Sequence, residues 1–188
     1  MSAPAPRSPK PTDTLPKIFL TPGALYCTPE PAVVTTVLGS CVAVCLWDRM
    51  QGAAGMNHYV LPHGQPGEHG ARYGDVAMAQ LGEDMTRLGS RIENLRAKIF
   101  GGAAVLPFGV AADTVGSKNV RVALEWLKRQ QIPVMARRTG GRNGLLIRLY
   151  ARTGRVMVRK IPLGASVDPD GRVPSHDSRY GLLAERDG

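Results

Sequence analysis

Residues 32–61 read AVVTTVLGSCVAVCLWDRMQGAAGMNHYVL, and this stretch predicts three consecutive β-strands. Ala32–Leu38 is apolar and β-branched, which is typical of a buried strand, and Val42–Trp47 is a second apolar run. The polar segment Asp48–Gly52 ends in glycine and suits a hairpin loop, after which Ala53–Leu61 returns as a third strand. The stretch therefore predicts a buried strand, a tight turn at Gly39-Ser40, and an antiparallel hairpin.

The flanking sequence adds helices and further strands. Apolar residues at helical spacing predict one helix that is capped by Asp75 and stopped by Gly89, and a second that is capped by Ser117 and ends before Pro133. Further strands are expected at 17–20, 95–100, 134–137, 145–151 and 155–161. The predicted fold class is α+β, with mixed or antiparallel sheets covered by helices on one side.

Composition limits the domain organisation. The chain of 188 residues is long enough for one domain, which we place at 17–166. Residues 1–16 are expected to form a disordered Pro-rich tail, and residues 167–188 a loose polar tail with room for a short turn at 180–183. The sequence has neither a secretory signal nor a run of ~20 apolar residues, so we expect a cytoplasmic protein that does not insert into membranes.

Several classes of site are not supported by the sequence. The three cysteines do not form a disulfide framework, and the four histidines are not at metal-ligand spacing. The pairs Gly101-Gly102 and Gly140-Gly141 lack the Lys-Ser/Thr of a phosphate loop, so we expect no metal and no cofactor. A net charge of +9 favours acidic partners, but the 5% aromatic content does not suggest a nucleic-acid binder.

The turn after the first buried strand is where a nucleophile would be expected. Cys41 follows Gly39 and Ser40, and free amides in such a turn could bind an oxyanion. If the hairpin strands pair so that residue numbers sum to about 100, His58 falls beside Val42, within a residue of Cys41, and could act as the base for the thiol. Thr35, six residues before Cys41, could hold the other ring nitrogen through its hydroxyl or carbonyl.

Simpler interpretations compete with this one. A cysteine in an apolar strand is usually a small core residue, and a strand threonine is ordinary because its side chain is β-branched. We interpret Cys45 as a core residue and Cys27 as an incidental residue in a loop at 26–29. Spacing alone therefore makes Cys41 and His58 candidates and no more.

Motifs over residues 20–161 make the sequence similar to the CheD family of chemoreceptor glutamine deamidases. They include Thr35 with 38–44 (LGSCVAV), 55–58 (GMNH), 98–103 (KIFGGA), Asn119 and 132–134 (IPV), whereas Thr36-Val37 departs from the usual Leu-Gly pair. The resemblance implies a catalytic triad of Cys41, His58 and Thr35. It also implies a fold resembling the catalytic domain of cytotoxic necrotizing factor. The implied substrates are glutamines, and for some members glutamate methyl esters, on the cytoplasmic helices of chemoreceptors.

Two further expectations concern partners. The basic strands near the C-terminus, with Arg148 and Arg155 in particular, could bind an acidic receptor surface, although a solvated basic edge is the alternative. A competing function is that of a regulatory module that docks on a CheC-like phosphatase, as some members of the resembled family do.

Overall fold

The computed structural model describes residues 15–64, 70–104 and 114–162, and these form two β-sheets and two α-helices. The elements are β1 (Lys17–Phe19), β2 (Leu25–Thr28), β3 (Val33–Leu38), β4 (Val42–Asp48), β5 (Ala54–Asn57), α1 (Gly74–Arg87), β6 (Leu95–Gly101), α2 (Val115–Arg129), β7 (Val134–Thr139), β8 (Gly144–Tyr150) and β9 (Arg155–Ile161). Short 3-10 turns occur at Ile92–Asn94 and Ala151–Thr153. The predicted α+β class with mixed sheets is confirmed, while the resemblance to the toxin domain stays a prediction.

The two sheets and the helices make three layers. A four-stranded sheet has the order β1-β3-β8-β9, and a five-stranded sheet has the order β2-β5-β4-β6-β7, with parallel pairs at β1-β3 and β6-β7. One apolar core, which includes Val34, Ala43 and Phe100, lies between the sheets. A second core, which includes Val44, Leu81 and Leu127, lies between the five-stranded sheet and the helices. We call the two sides of the five-stranded sheet its inner face, toward the other sheet, and its helix face.

The hairpin at β4 and β5 has the predicted arrangement but a shorter return strand. Paired residues sum to 101, as in Cys45 with Met56, close to the expected 100. The regular ladder ends at Asn57, because the amide of Val44 donates to Asn57 Oδ1 at 2.9 Å while Asn57 Nδ2 donates to the carbonyl of Ala77 at 3.2 Å. Just before His58, the Asn57 side chain thus replaces the backbone partner of Val44 and connects β5 to α1.

Three details of the predicted elements were wrong. Residues 26–29 are not simply a loop, because Leu25–Thr28 forms β2, an edge strand paired with β5. Asp75 is not the cap of α1, which begins at Gly74 with no side-chain cap. Ser117 is not the cap of α2, because the side chain of Thr114 accepts from the amide of Ser117 at 3.1 Å. Each polar residue lies within the first turn, where local sequence does not distinguish a cap from its neighbours.

The predicted tails lie outside the described residues, except for Leu15 and Pro16. Among the residues that are described, no helix is long and apolar enough to cross a membrane.

Candidate active site

The turn that carries Cys41 is held through its carbonyl groups. It connects β3 of one sheet to β4 of the other, so it lies where the two sheets meet. Three successive carbonyls accept hydrogen bonds: Gly39 from the amide of Ala103 at 2.9 Å, Ser40 from Asn119 Nδ2 at 3.1 Å, and Cys41 from the amide of Gly102 at 2.8 Å. Within the described residues, the amides of Ser40 and Cys41 donate to no other residue. The turn therefore has two backbone amides beside the thiol that donate to no other described residue, while the oxyanion role expected for Gly39 and Ser40 stays a prediction.

Gly101 makes this close approach possible. Its φ is +102°, and a Cβ atom there would lie 2.2 Å from the carbonyl oxygen of Cys41. An L side chain would be strained at that φ and would collide with backbone that cannot move away. The glycine is required because the end of β6 passes directly against the backbone of Cys41.

His58 lies on the same face of the sheet as Cys41. Val42 and Tyr59 exchange backbone hydrogen bonds of 3.1 and 3.0 Å, so the residues that precede them lie diagonally across this pair. Diagonal neighbours have Cα atoms about 7–8 Å apart, within reach of a long or aromatic side chain. The backbone of His58 is fixed from the other side, because its amide donates to Ala24 and its carbonyl accepts from Gly23. The register thus brings the thiol and the imidazole to one place on the inner face.

Thr36 holds the imidazole. His58 Nδ1 lies 2.8 Å from Thr36 Oγ1, and this hydroxyl donates its only proton to the carbonyl of Leu20 at 2.6 Å. The hydroxyl oxygen must therefore accept from Nδ1–H, which leaves Nε2 with its lone pair. Nε2 is buried and has no hydrogen-bond partner among the described residues. The ring is held in the tautomer that a general base for Cys41 requires.

The structure gives this contact to Thr36 and not to Thr35, which the sequence predicts for it. Successive side chains of a strand point to opposite faces, and Thr36 shares the inward face with Val34 and Leu38. Thr35 pairs with Phe19 and Arg148 on the outward face of the four-stranded sheet. The carbonyl of Thr35 accepts from the amide of Leu20 at 2.8 Å. Thr35 therefore contacts Leu20, whose own carbonyl accepts the Thr36 proton, and not the imidazole itself.

Burial disfavours the charged forms of both Cys41 and His58. Desolvation lowers the pKa of His58 to about 4, although a hydrogen bond with the Leu20 backbone raises it in part. Desolvation also raises the pKa of the Cys41 thiol above its ordinary value, against a smaller lowering by its own backbone amide. The charged forms are disfavoured in the low-dielectric interior. Near neutral pH the two side chains are therefore a thiol and a neutral imidazole.

Asn119 joins the two segments that carry Cys41 and His58. This fully buried side chain on α2 donates from Nδ2 to the carbonyl of Ser40 at 3.1 Å and to that of Val60 at 2.8 Å. Tyr59 fixes it in turn, since its hydroxyl donates to the Asn119 carbonyl at 2.6 Å. The sequence alone predicts no role for Asn119 or Thr36. A buried amide on the apolar stripe of α2 is the signal that would have drawn attention to Asn119.

The other candidates lie away from this constellation. Arg148 and Arg155 are on the outward face of the four-stranded sheet, where Arg148 faces Met157 and Arg155 faces Tyr150. Cys45 is buried in the core between the sheets, as predicted, and the sulfur of Cys27 lies on the helix face near Gly55. No group of three or more His, Cys, Asp or Glu side chains within the described ranges is arranged as a metal site.

Comparisons with known proteins identify the family. Residues 60–160 match the family model described as "CheD chemotactic sensory transduction". A protein of Rhodospirillum rubrum named "Probable chemoreceptor glutamine deamidase CheD" is 60% identical over 89% of this chain and 95% of its own length.

The chain belongs to the CheD family.

Other similar proteins agree with this membership. A protein of the same name from Trichlorobacter lovleyi is 44% identical. The protein named "Probable chemoreceptor glutamine deamidase CheD 1" from Anaeromyxobacter dehalogenans is 41% identical. These matches cover 76% and 77% of this chain, and 89% and 85% of the relatives. Among solved structures, the Bacillus licheniformis hypothetical protein YfiH has a TM-score of 0.42 and 16% identity. That match covers 60% of this chain and 49% of YfiH, and a likeness of this size carries no assignment.

Proposed function

We propose that this member of the CheD family is a cytoplasmic cysteine-dependent deamidase that converts glutamine side chains of chemoreceptors to glutamate. The observation that carries the proposal is the chain of contacts from Leu20 through Thr36 to His58, which leaves Nε2 unpartnered on the face that Cys41 shares. A base that is oriented and lacks a resting partner is suited to accept a thiol proton during attack. The substrate comes from the relatives' names, which describe chemoreceptor glutamine deamidases.

The first half-reaction forms a thioester. Cys41 Sγ attacks the carboxamide carbon of the substrate while its proton passes to His58 Nε2. The amides of Ser40 and Cys41 are the donors available for the oxyanion, since they make no other hydrogen bond within the described residues. The imidazolium then protonates the leaving nitrogen, the carbon–nitrogen bond breaks, and ammonia departs.

The second half-reaction hydrolyses the thioester. His58 Nε2 takes a proton from water, whose oxygen attacks the thioester carbon. The carbon–sulfur bond breaks, the sulfur recovers the proton from His58, and the glutamate product leaves. A glutamate methyl ester would follow the same steps with methanol as the leaving group, so ester hydrolysis is part of this proposal.

The test is ammonia release from purified chemoreceptor cytoplasmic fragments, with the modified glutamines located by mass spectrometry. We expect Cys41→Ala and His58→Ala to abolish release, and Cys27→Ser, at the other partly buried cysteine, to retain it. Full activity in Cys41→Ala would contradict the proposal.

Docking on a CheC-like phosphatase remains the alternative function. No observation on the described residues favours it, but one genetic experiment separates the two. A Cys41→Ala chain that restores chemotaxis to a strain lacking this protein would indicate a binding role, because that chain retains the surface and loses the nucleophile.

A further inference from the structure

The chain between residues 134 and 162 is basic throughout. It contains eight Arg and Lys residues and no Asp or Glu: Arg137, Arg138, Arg142, Arg148, Arg152, Arg155, Arg159 and Lys160. The salt bridges among the described residues all lie elsewhere, on α1, at its N-terminal end and in the 91–93 turn. The structure distributes these cations over several faces, so they do not form one binding surface.

Strand register places Arg138 on the same face as the thiol. Ala43 pairs with Phe100, and Phe100 pairs with Arg138, so the three side chains form a row across the inner face. Cys41 is two residues before Ala43 on that face, and each step between strands is about 4.8 Å. Arg138 is partly buried and makes no ion pair within the described residues. Its neighbour Arg137 pairs with Ile99, points to the helix face and is exposed.

Arg142 lies on a loop that is hydrogen-bonded to residues 101–104, which contact the Cys41 turn. The amide of Gly140 donates to the carbonyl of Gly101 at 2.9 Å, and the amide of Ala104 donates to Gly141 at 2.9 Å. The segment 101–104 itself holds the carbonyls of Gly39 and Cys41. The loop therefore forms part of the rim around the turn, with Gly140 and Gly141 facing open space and Arg142 exposed.

We propose that Arg138 and Arg142 bind carboxylates that flank the target glutamine, so that the preferred substrate is a glutamine within an acidic stretch. The inference rests on the proposed function. Guanidinium groups bind carboxylates through paired hydrogen bonds. One cation on the thiol's face of the sheet and one on the rim of its turn, both without an acidic partner among the described residues, raise the local concentration of an acidic segment. Basic residues on an edge strand also prevent sheet-to-sheet pairing, a role that Arg137 on the other face can fill.

The test compares two synthetic helical peptides that differ only beside a central glutamine, where one has glutamates and the other alanines. We expect the protein to deamidate the acidic peptide with a kcat/KM about 5- to 10-fold higher, the effect of two partly exposed ion pairs, and to lose this preference at high salt. In the double variant R138Q/R142Q the ratio of kcat/KM for the acidic peptide to kcat/KM for the neutral peptide falls to about one. The control R137Q/R152Q removes the same charge from the helix face and from the turn between β8 and β9, and should keep the preference.

Binding measured with a Cys41→Ala chain separates this inference from the proposed function. Tighter binding of the acidic peptide without turnover by the unmodified protein would contradict the proposed function and support the charge recognition. Turnover of both peptides at equal rates, or a preference that survives in R138Q/R142Q, would overturn the inference and leave the deamidase assignment standing. A preference lost equally in R137Q/R152Q would also overturn it, because net charge alone would then explain the effect.

Discussion

Replacing Thr36 by valine tests how the imidazole is held. Valine has nearly the same shape, so the core between the sheets keeps its packing, but the hydroxyl that bridges His58 Nδ1 and the Leu20 carbonyl is lost. Two buried hydrogen bonds at about 1 kcal/mol each give an expected destabilisation of about 2 kcal/mol. In a domain of this size that corresponds to a fall in Tm of about 4–8 °C.

The effect on catalysis should exceed the effect on stability. Without Thr36 the tautomer with a free Nε2 is no longer selected by a hydroxyl acceptor, and the ring can rotate away from Cys41. General-base catalysis contributes about 10²- to 10⁴-fold, so we expect kcat to fall by about 10- to 100-fold with KM little changed. Thr36→Ser restores the hydroxyl and should recover most of the rate.

Thr35→Val is the matched comparison, because it removes the same group from the adjacent residue on the outward face. Ammonia release by both variants, with urea unfolding as the stability check, distinguishes the two threonines. We expect Thr35→Val to retain activity within a few-fold of the unmodified protein. If Thr35→Val loses activity and Thr36→Val does not, the orientation of His58 by the Thr36 hydroxyl is refuted. The catalytic role that the family resemblance implies for Thr35 is then favoured.

Three further predictions follow from the same contacts. Because burial favours the neutral thiol and imidazole, alkylation of Cys41 should accelerate with pH through a midpoint above the ordinary cysteine value, and a reactive plateau between pH 5 and 7 would contradict a neutral resting pair. The folded-state pKa of His58 is about 4 against an ordinary 6.5, so its contribution to stability is complete above pH 6.5 and is lost as the pH falls toward 4. Urea unfolding should show the unmodified protein losing about 2–3 kcal/mol more than His58→Gln between pH 7 and pH 4.5, and equal losses would argue against a buried neutral ring. Asn119→Ala removes the side-chain hydrogen bonds to the carbonyls of Ser40 and Val60, and should slow Cys41 alkylation at least about tenfold. The control Asp48→Ala, at the far end of β4, should destabilise the protein without that change in thiol reactivity.

Much of the architecture could be read from local sequence because it depends on neighbouring residues. The apolar, β-branched run at 32–38, and the glycine-ended loop at Asp48–Gly52, predict the first strands and their hairpin. The edge strand Leu25–Thr28 could not be predicted locally because it has only four residues and its pairing with β5 is a tertiary interaction. The return strand was predicted too long because the Asn57 side chain, held by α1, replaces the ladder.

For the candidate site, the sequence by itself determined the position of the turn at Gly39–Cys41 and the nearness of His58 to it. Both depend on the chain reversing within a few residues. Because paired residue numbers in the β4–β5 hairpin sum to 101, Val42 pairs with Tyr59, and His58 lies one residue from that pair. Only the tertiary structure decided which threonine holds the ring, because that depends on which face of β3 is covered by the second sheet. It also brought Asn119 from α2, 79 residues along the chain from Ser40 and 59 from Val60, to fix the two segments together. Local periodicity carries no information about such distant partners, since they meet only when separately formed layers pack against each other.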